Sequence, residues 1–459
     1  MNSKFNEIAA ALLVTLALVS PLAAQPLQLE VLASFNGTNG ASPYAGLTLG
    51  SDGSFYGTTF GGGAYTNQYG GLGTVFRVTT NGVLTTLGSF ADTNGASPEV
   101  GLTLGNEGNF YGTTAYGGSD SLASGGTVFR VTTNGTITDL YDFNVHGFFG
   151  AIWYALPNSL TLGKDGNFYG TTAADDTLGL GTVFRVTTNG VFTTLFTFSP
   201  AEGDDPEAAL TLGSDGNFYG TTAWGGSGGG GDGTVFRVTT NGVLATLASF
   251  VGANGANPKA ALTLGSDGNF YGTTYYGGSQ SNGTVFRVTT NGAFTSLVSF
   301  VGTNGASPAA ALTPGIDGNF YGTTELGGNG YGTVFQVTSN GILTALASFN
   351  GANGAYPLAA LTLGSDGNFY GTTSSGGAAD KGVIYRLRRG VTIQSFAVAS
   401  SGFQVATLNV GGSGWVVLES SSDLAHWTPI ETNGTAAAQQ FLDPAARTQP
   451  RQFYRVRQQ

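Results

Sequence analysis

The sequence predicts an all-β chain: a seven-bladed β-propeller closed by an N-terminal strand, followed by a small C-terminal β-sandwich-like module. Three observations lead there. A four-strand pattern recurs seven times at a period near 50 residues. Each copy alternates β-branched and aromatic residues with Gly-containing turns and has almost no helix-forming stretch. The last copy stops after its third strand, while a matching fourth strand stands alone ahead of the first copy.

Taken in chain order, residues 1–24, MNSKFNEIAAALLVTLALVSPLAA, read as an export signal. Lys4 lies in a short polar start, Ile8 to Val19 is apolar, and Pro21-Leu22-Ala23-Ala24 suits cleavage before Gln25. The apolar run is too short to span a bilayer comfortably and no later segment could, so the mature chain is expected to have no transmembrane segment. The expected location is secreted or on a bacterial cell surface.

Next comes the isolated strand LEVLASF, Leu29 to Phe35. The repeat itself is clearest over residues 206–250, with strand A in AALTLG, B in NFYGTT, C in GTVFRVTT and D in VLATLASF. Asp-Gly separates A from B and Asn-Gly separates C from D, dipeptides that accept positive φ and suit tight hairpin turns. Spacing within these hairpins is constant: the C-strand Phe lies 14 residues before the closing Phe of strand D, as in Phe76 to Phe90. The B–C connection varies, from 14 residues between Thr59 and Gly73 to 8 between Thr324 and Gly332. The D–A step is 8 in six copies and 14 from Phe143 to Pro157. In an antiparallel meander, A–B and C–D turns share one edge, so all length variation gathers on the opposite face. The displaced strand Leu29–Phe35 is expected to complete the seventh blade, closing the ring and covering its edges. The propeller domain is expected over 25–390.

Residues 391–459 break the repeat. Alternation in VTIQSFAVASSGFQVATLNV, GWVVLESSSDLAHWTPI and QFYRVRQQ suggests a separate small β-sandwich.

Composition narrows the function. Charged residues make up 9% and apolar residues 41%, which fits a Gly-punctuated β protein rather than a disordered one. A net charge of −11, with no basic run beyond Arg388-Arg389, argues against nucleic acid. The absence of Cys excludes disulfides and thiolate metal sites, and the two histidines, His146 and His426, lie far apart in sequence. No cofactor or metal is expected, and neither histidine has a nucleophile context.

The copied motif reads as scaffold. Gly213–Thr222, GSDGNFYGTT, recurs in every copy with small changes, and the recurring Arg of VFRV (Gln336 in the sixth copy) and the A–B turn carboxylate (Arg237 and Asp215, for example) each keep an identical place within their motif. Sites normally break a scaffold's symmetry, so these charges read as structural pairings between blades or with backbone carbonyls. The variable face holds the candidate ligand-binding residues: Phe149, Trp153 and Tyr154 in the long third D–A loop, and Tyr116, Trp224 and Tyr276 in B–C loops. Exposed aromatics of this kind stack on sugar rings or on a protein partner; the long loop serves equally well as an apolar cap. Carboxylates on the same face, Asp204, Asp205, Asp232 and Glu325 among them, offer a weaker alternative, glycoside hydrolysis by a carboxylate pair. The expected role is non-enzymatic, binding an extracellular glycan or protein; a purely structural surface component is the remaining alternative.

The motifs DGNFYGTT and GTVFRVTTNG, with SF, G, NGA, P and AALT in fixed order between them, resemble the GloVer-type choice-of-anchor tandem-repeat proteins over about residues 29–390. The resemblance implies a bacterial exported protein with an interchangeable C-terminal module, and it brings no catalytic residues. The stretch from ESSSDLAHWTPI to FYRV looks like a module that ends other surface proteins, without the hydrophobic helix and basic tail of the sorting-anchor versions.

Overall fold

The computed structural model describes residues 27–67, 70–119, 124–144, 146–148, 151–153, 157–173, 180–227 and 231–388, and the strand backbones at 392–399, 402–408, 416–421, 428–433, 438–443 and 453–458. The chain divides into two compact units, Leu27–Arg389 and one carrying Gly390–Val410 and Gly414–Gln459.

In the first unit the repeats form seven four-stranded antiparallel sheets. The fourth blade runs Thr211–Leu212, Phe218–Thr222, Thr234–Val238 and Leu244–Ser249. Strand B is buried throughout, whereas strand D is half-exposed at the periphery. The seventh sheet takes Thr362–Leu363, Phe369–Thr373 and Val383–Arg388 from the end of the repeat and Gln28–Ser34 from its start. Leu29 sits opposite Leu387 in this antiparallel pair, and Arg386 is 2.7 Å from Glu30 across it. The ring is therefore a seven-bladed propeller closed by the N-terminal strand.

Two side-chain chains run round the full circle. Each FYG tyrosine packs on the FYG phenylalanine of the next blade, from Tyr56–Phe110 at 4.2 Å between ring centres to Tyr370–Phe55 at 4.3 Å. Each strand-A threonine donates to a leucine carbonyl on the next blade's innermost strand, from Thr211 to Leu262 at 2.5 Å to Thr362 and Leu47 at 2.6 Å. Only neighbouring strands close to the axis can exchange such bonds, which places strand A innermost. Each strand-D phenylalanine also meets the next blade's C-strand ring edge-on, as in Phe250–Phe286 at 5.1 Å and 71°. Burying rings of this kind contributes about 1.5–3 kcal/mol each.

The turns differ in one detail from the tightest hairpin. Of Asp215-Gly216 and Asn241-Gly242, only the glycines take positive φ, 83° and 86°. Gly216 donates back to Gly213 at 3.1 Å and Gly242 to Thr239 at 3.0 Å, a type I turn followed by a left-handed glycine.

The second unit holds two three-stranded antiparallel sheets: 392–399, 402–408 and 438–443 in one, 428–433, 416–421 and 453–458 in the other. Its expected sandwich packing depends on side chains outside the described residues.

Candidate functional site

Each residue of FYGTT has a packing task, so the motif is scaffold. In the fourth blade Phe218 stacks on Tyr169 and Tyr219 on Phe270. A Cβ at Gly220 would lie 2.5 Å from the Phe236 ring, so glycine is required by a side chain crossing the strand rather than by neighbouring backbone. Thr221 donates to the Pro258 carbonyl of the next blade at 3.3 Å. Thr222 contacts the Thr234 hydroxyl at 2.9 Å and donates to the Trp224 carbonyl at 2.9 Å.

The repeated turn carboxylate is also absorbed. Tyr219 donates its hydroxyl to Asp215 at 2.9 Å, and Arg237 stands opposite Tyr219 in register. Burial raises the Asp215 carboxyl, but hydrogen bonds from Asn217 and Tyr219 outweigh it and hold the group below the ordinary carboxylate range. Burial, then the bond to Asp215, pushes the Tyr219 hydroxyl up to about 12. In the first blade Arg77 bonds Asp52 directly at 2.9 Å, and in the sixth Gln336 donates to Asp317 at 3.2 Å. These pairings lie within a blade. Arg386 pairs with Glu30 inside the seventh blade and also donates to the Thr80 carbonyl of the first.

The opposite, loop-rich face carries what the repeat does not standardise. Two positions after GTT the chain presents Gly61, Tyr116, Trp224, Tyr276, Leu326 and Ser375. In all six of these blades the residue is clamped by an antiparallel bridge to the D–A loop. Trp224 exchanges both backbone bonds with Asp204, at 2.9 and 3.0 Å, and Tyr276 does the same with Ala256. The second Thr of GTT caps the carbonyl, as Thr274 does for Tyr276 at 2.8 Å. Side chains here are held at the root and project outward: Tyr116 is 42%, Trp224 48% and Tyr276 48% exposed.

Inside this rim lies an irregular charged arc at the axial mouth of blades four to six. The residue after the D–A proline enters strand A, the strand nearest the axis, and in these blades it is Glu207, Lys259 and Ala309. Lys259 reaches back one blade to Glu207 at 3.2 Å and lies 5.2 Å from the centre of the Tyr275 ring. Tyr275 donates to Glu325 on the next blade at 2.7 Å. Asp205 stands beside Glu207 with φ of 58°, its N–H donating to Leu180 and its carbonyl accepting from Ala223. A left-handed non-glycine residue costs about 1–2 kcal/mol, and bonds on both sides are what hold it there. Burial, then the charges of Glu207 and Asp204, pushes the Asp205 carboxyl up to about 7, with Lys259 opposing. Burial also raises Asp204. Glu99, exposed at the post-proline position of the second blade, is raised by desolvation. Chemically the face offers flat apolar rings, carboxylates that accept hydroxyl hydrogens, and one carboxyl poised to give or take a proton near neutrality. Among the described residues no group of three or more His, Asp or Glu is placed to hold a metal ion.

Of the sequence-derived candidates, Tyr116, Trp224 and Tyr276 occupy one repeat-equivalent position on blades two, four and five. Trp153 lies in a short hairpin, Ala151–Trp153 against His146–Phe148, where its backbone is paired in register with that of His146. Phe149 and Tyr154 lie outside the described residues. Glu207 and Lys259 escaped the sequence reading. Their signal was available in principle: the post-proline position reads Tyr44, Glu99, Asn158, Glu207, Lys259, Ala309 and Leu358, a position the repeat leaves free.

The Gloeobacter/Verrucomicrobia repeat family matches residues 18–231 and 209–416. No curated protein matches the sequence. Among solved structures, the BP39L lectin from Burkholderia pseudomallei aligns at 13% identity and a TM-score of 0.52, covering 82% of this chain and 98% of the lectin. A gluconolactonase from Xanthomonas campestris aligns at 11% identity and 0.41, over 80% of this chain and 95% of its own. An α-L-arabinanase from Penicillium chrysogenum aligns at 14% and 0.39, over 62% and 91%. At such identities the likeness concerns the fold alone. Among the described residues no helix is long and apolar enough to cross a membrane.

Proposed function

The chain belongs to the Gloeobacter/Verrucomicrobia repeat family, and from that premise we propose that it is an exported propeller that binds a glycan through its loop-rich face. One observation carries the reading: Tyr116, Trp224 and Tyr276 are exposed aromatic rings whose backbones are clamped in place, at a position where other blades carry Gly61 or Ser375. A rigid ring lowers the entropy cost of stacking on a sugar face, and neighbouring carboxylates such as Asp204 accept hydroxyl hydrogens. Export rests on the signal-like residues 1–24. A glycan array probed with the purified protein tests the reading. Binding is expected, and Trp224→Ala with Tyr276→Ala should abolish it without lowering the melting temperature. An array with no signal, or one unchanged in the double variant, would count against the proposal.

A second reading has its own observation. Asp205, held partly protonated near pH 7 beside Glu207, is the kind of carboxyl that acts as general acid on a glycosidic bond. Turnover across a polysaccharide panel that is lost in Asp205→Asn would favour it; binding without turnover favours the first.

A further inference from the structure

We propose that the ligand of this face is an extended polysaccharide chain without acidic groups, laid across several blades rather than one sugar held in a pocket. The inference rests on the glycan-binding reading and adds the form and charge of the ligand.

Form follows from where the platforms stand. Trp224, Tyr276 and Leu326 occupy the same position on three consecutive blades and are 48%, 48% and 38% exposed, and Tyr116 repeats the arrangement on the second blade. The seventh and first blades, which adjoin through the closing strand, present Ser375 and Gly61 instead. The third blade's equivalent, Ala174, lies outside the described residues; among the other six the apolar positions fall on blades two, four, five and six and not on the first and seventh, rather than forming a uniform crown. Packed sheets lie about 10 Å apart, and radial blades diverge outward, so neighbouring platforms are separated by at least roughly that distance. A single hexose ring is smaller than this spacing and meets one platform at a time. A chain of several sugars meets them together, so that each later contact forms at high effective concentration.

Charge comes from the inner arc. Asp204, Asp205, Glu207 and Glu325 line blades four to six, while Lys259 is already paired with Glu207 at 3.2 Å. A ligand lying between this arc and the aromatic rim meets unbalanced carboxylates. Uronate or sulfate groups are repelled, whereas neutral hydroxyls find acceptors.

The full-length mature protein is tested by affinity electrophoresis through gels containing hydroxyethylcellulose, xylan, galactomannan or alginate, followed by calorimetry with oligosaccharides of the retarding neutral polymer from two to eight units. Retardation by at least one neutral polymer and none by alginate is expected, with affinity rising at least tenfold between the disaccharide and the octasaccharide. Tyr116→Ala, Trp224→Ala and Tyr276→Ala should each cost about tenfold on the polymer, with the melting temperature as folding control. Equal affinity for disaccharide and octasaccharide, or a loss confined to one aromatic, overturns the extended-chain inference while glycan binding itself stands. Retardation by alginate overturns the charge assignment. No retardation in any gel, with capture of a basic protein partner instead, removes the reading on which the inference rests.

Discussion

Tyr385 shows how a single atom departs from an otherwise repeated core. Six blades place Phe at this point of strand C; the seventh places a tyrosine whose side chain is fully buried and whose hydroxyl has no hydrogen-bond partner. A buried unsatisfied hydroxyl costs about 1–3 kcal/mol. Tyr385→Phe is therefore expected to stabilise the propeller by roughly 1–2 kcal/mol in denaturant unfolding; destabilisation would mean that the hydroxyl makes a contact of value. Asp205 supplies a pH signature. Its folded carboxyl titrates at about 7 against an ordinary aspartate value of 3.8, so between these values the native state binds more protons than the unfolded chain. Its contribution to stability is fully present below the lower value and is lost as pH rises through about 7. Asp139, raised to about 7 by burial and by Asp142, acts in the same direction. The turn residues Asp52, Asp165, Asp215 and Asp267 are shifted down and act oppositely, losing their contribution only as pH falls below the ordinary carboxylate range. Melting temperature should decline from pH 5 to pH 8, and Asp205→Asn should reduce that decline. An identical pH profile in the variant would show that Asp205 does not titrate in this window.

Turns decide how blades nest. Gly53 and Gly242 both take positive φ, 75° and 86°, but their surroundings differ. A Cβ at Gly53 meets nothing within 4 Å, while one at Gly242 would lie 2.3 Å from the Leu195 carbonyl of the preceding blade. Gly53→Ala carries a conformational cost alone, about 1 kcal/mol. Gly242→Ala adds a clash with backbone that belongs to another blade, and should cost at least about 1 kcal/mol more. Equal losses in urea unfolding would show that the C–D turn is not pressed against its neighbour. The C–D turn is thus a spacer between blades as well as a hairpin, a second role that its Asn-Gly signature does not reveal.

Closure is the property of the whole ring. The Tyr–Phe and Thr–Leu chains pass through every blade boundary, including the one between the seventh blade and the first. That boundary depends on Gln28–Ser34, which covers Val383–Arg388 and brings Glu30 to Arg386. A chain beginning at Asn36 leaves the edge of Val383–Arg388 unpaired and is expected to melt at lower temperature and to self-associate in gel filtration. An unaltered monomer with unaltered melting would mean that the ring closes without the strand.

The sequence by itself determined the architecture: seven copies of a four-strand pattern, a fourth strand missing at one end and present at the other, and length variation confined to alternate connections. These are properties of order along the chain, and period-two alternation with turn glycines encodes them locally. The packing task of each motif residue was less legible. Gly220 reads as a site of close approach, yet only the fold shows that the Phe236 ring is what approaches. The mouth cluster was decided by tertiary structure. Asp205, Glu207, Lys259, Tyr275 and Glu325 come from three copies, and their meeting depends on how closely radial sheets converge at the axis. Repeat spacing locates each residue within its blade, but side-chain contact between blades is set by ring curvature, which no single copy encodes.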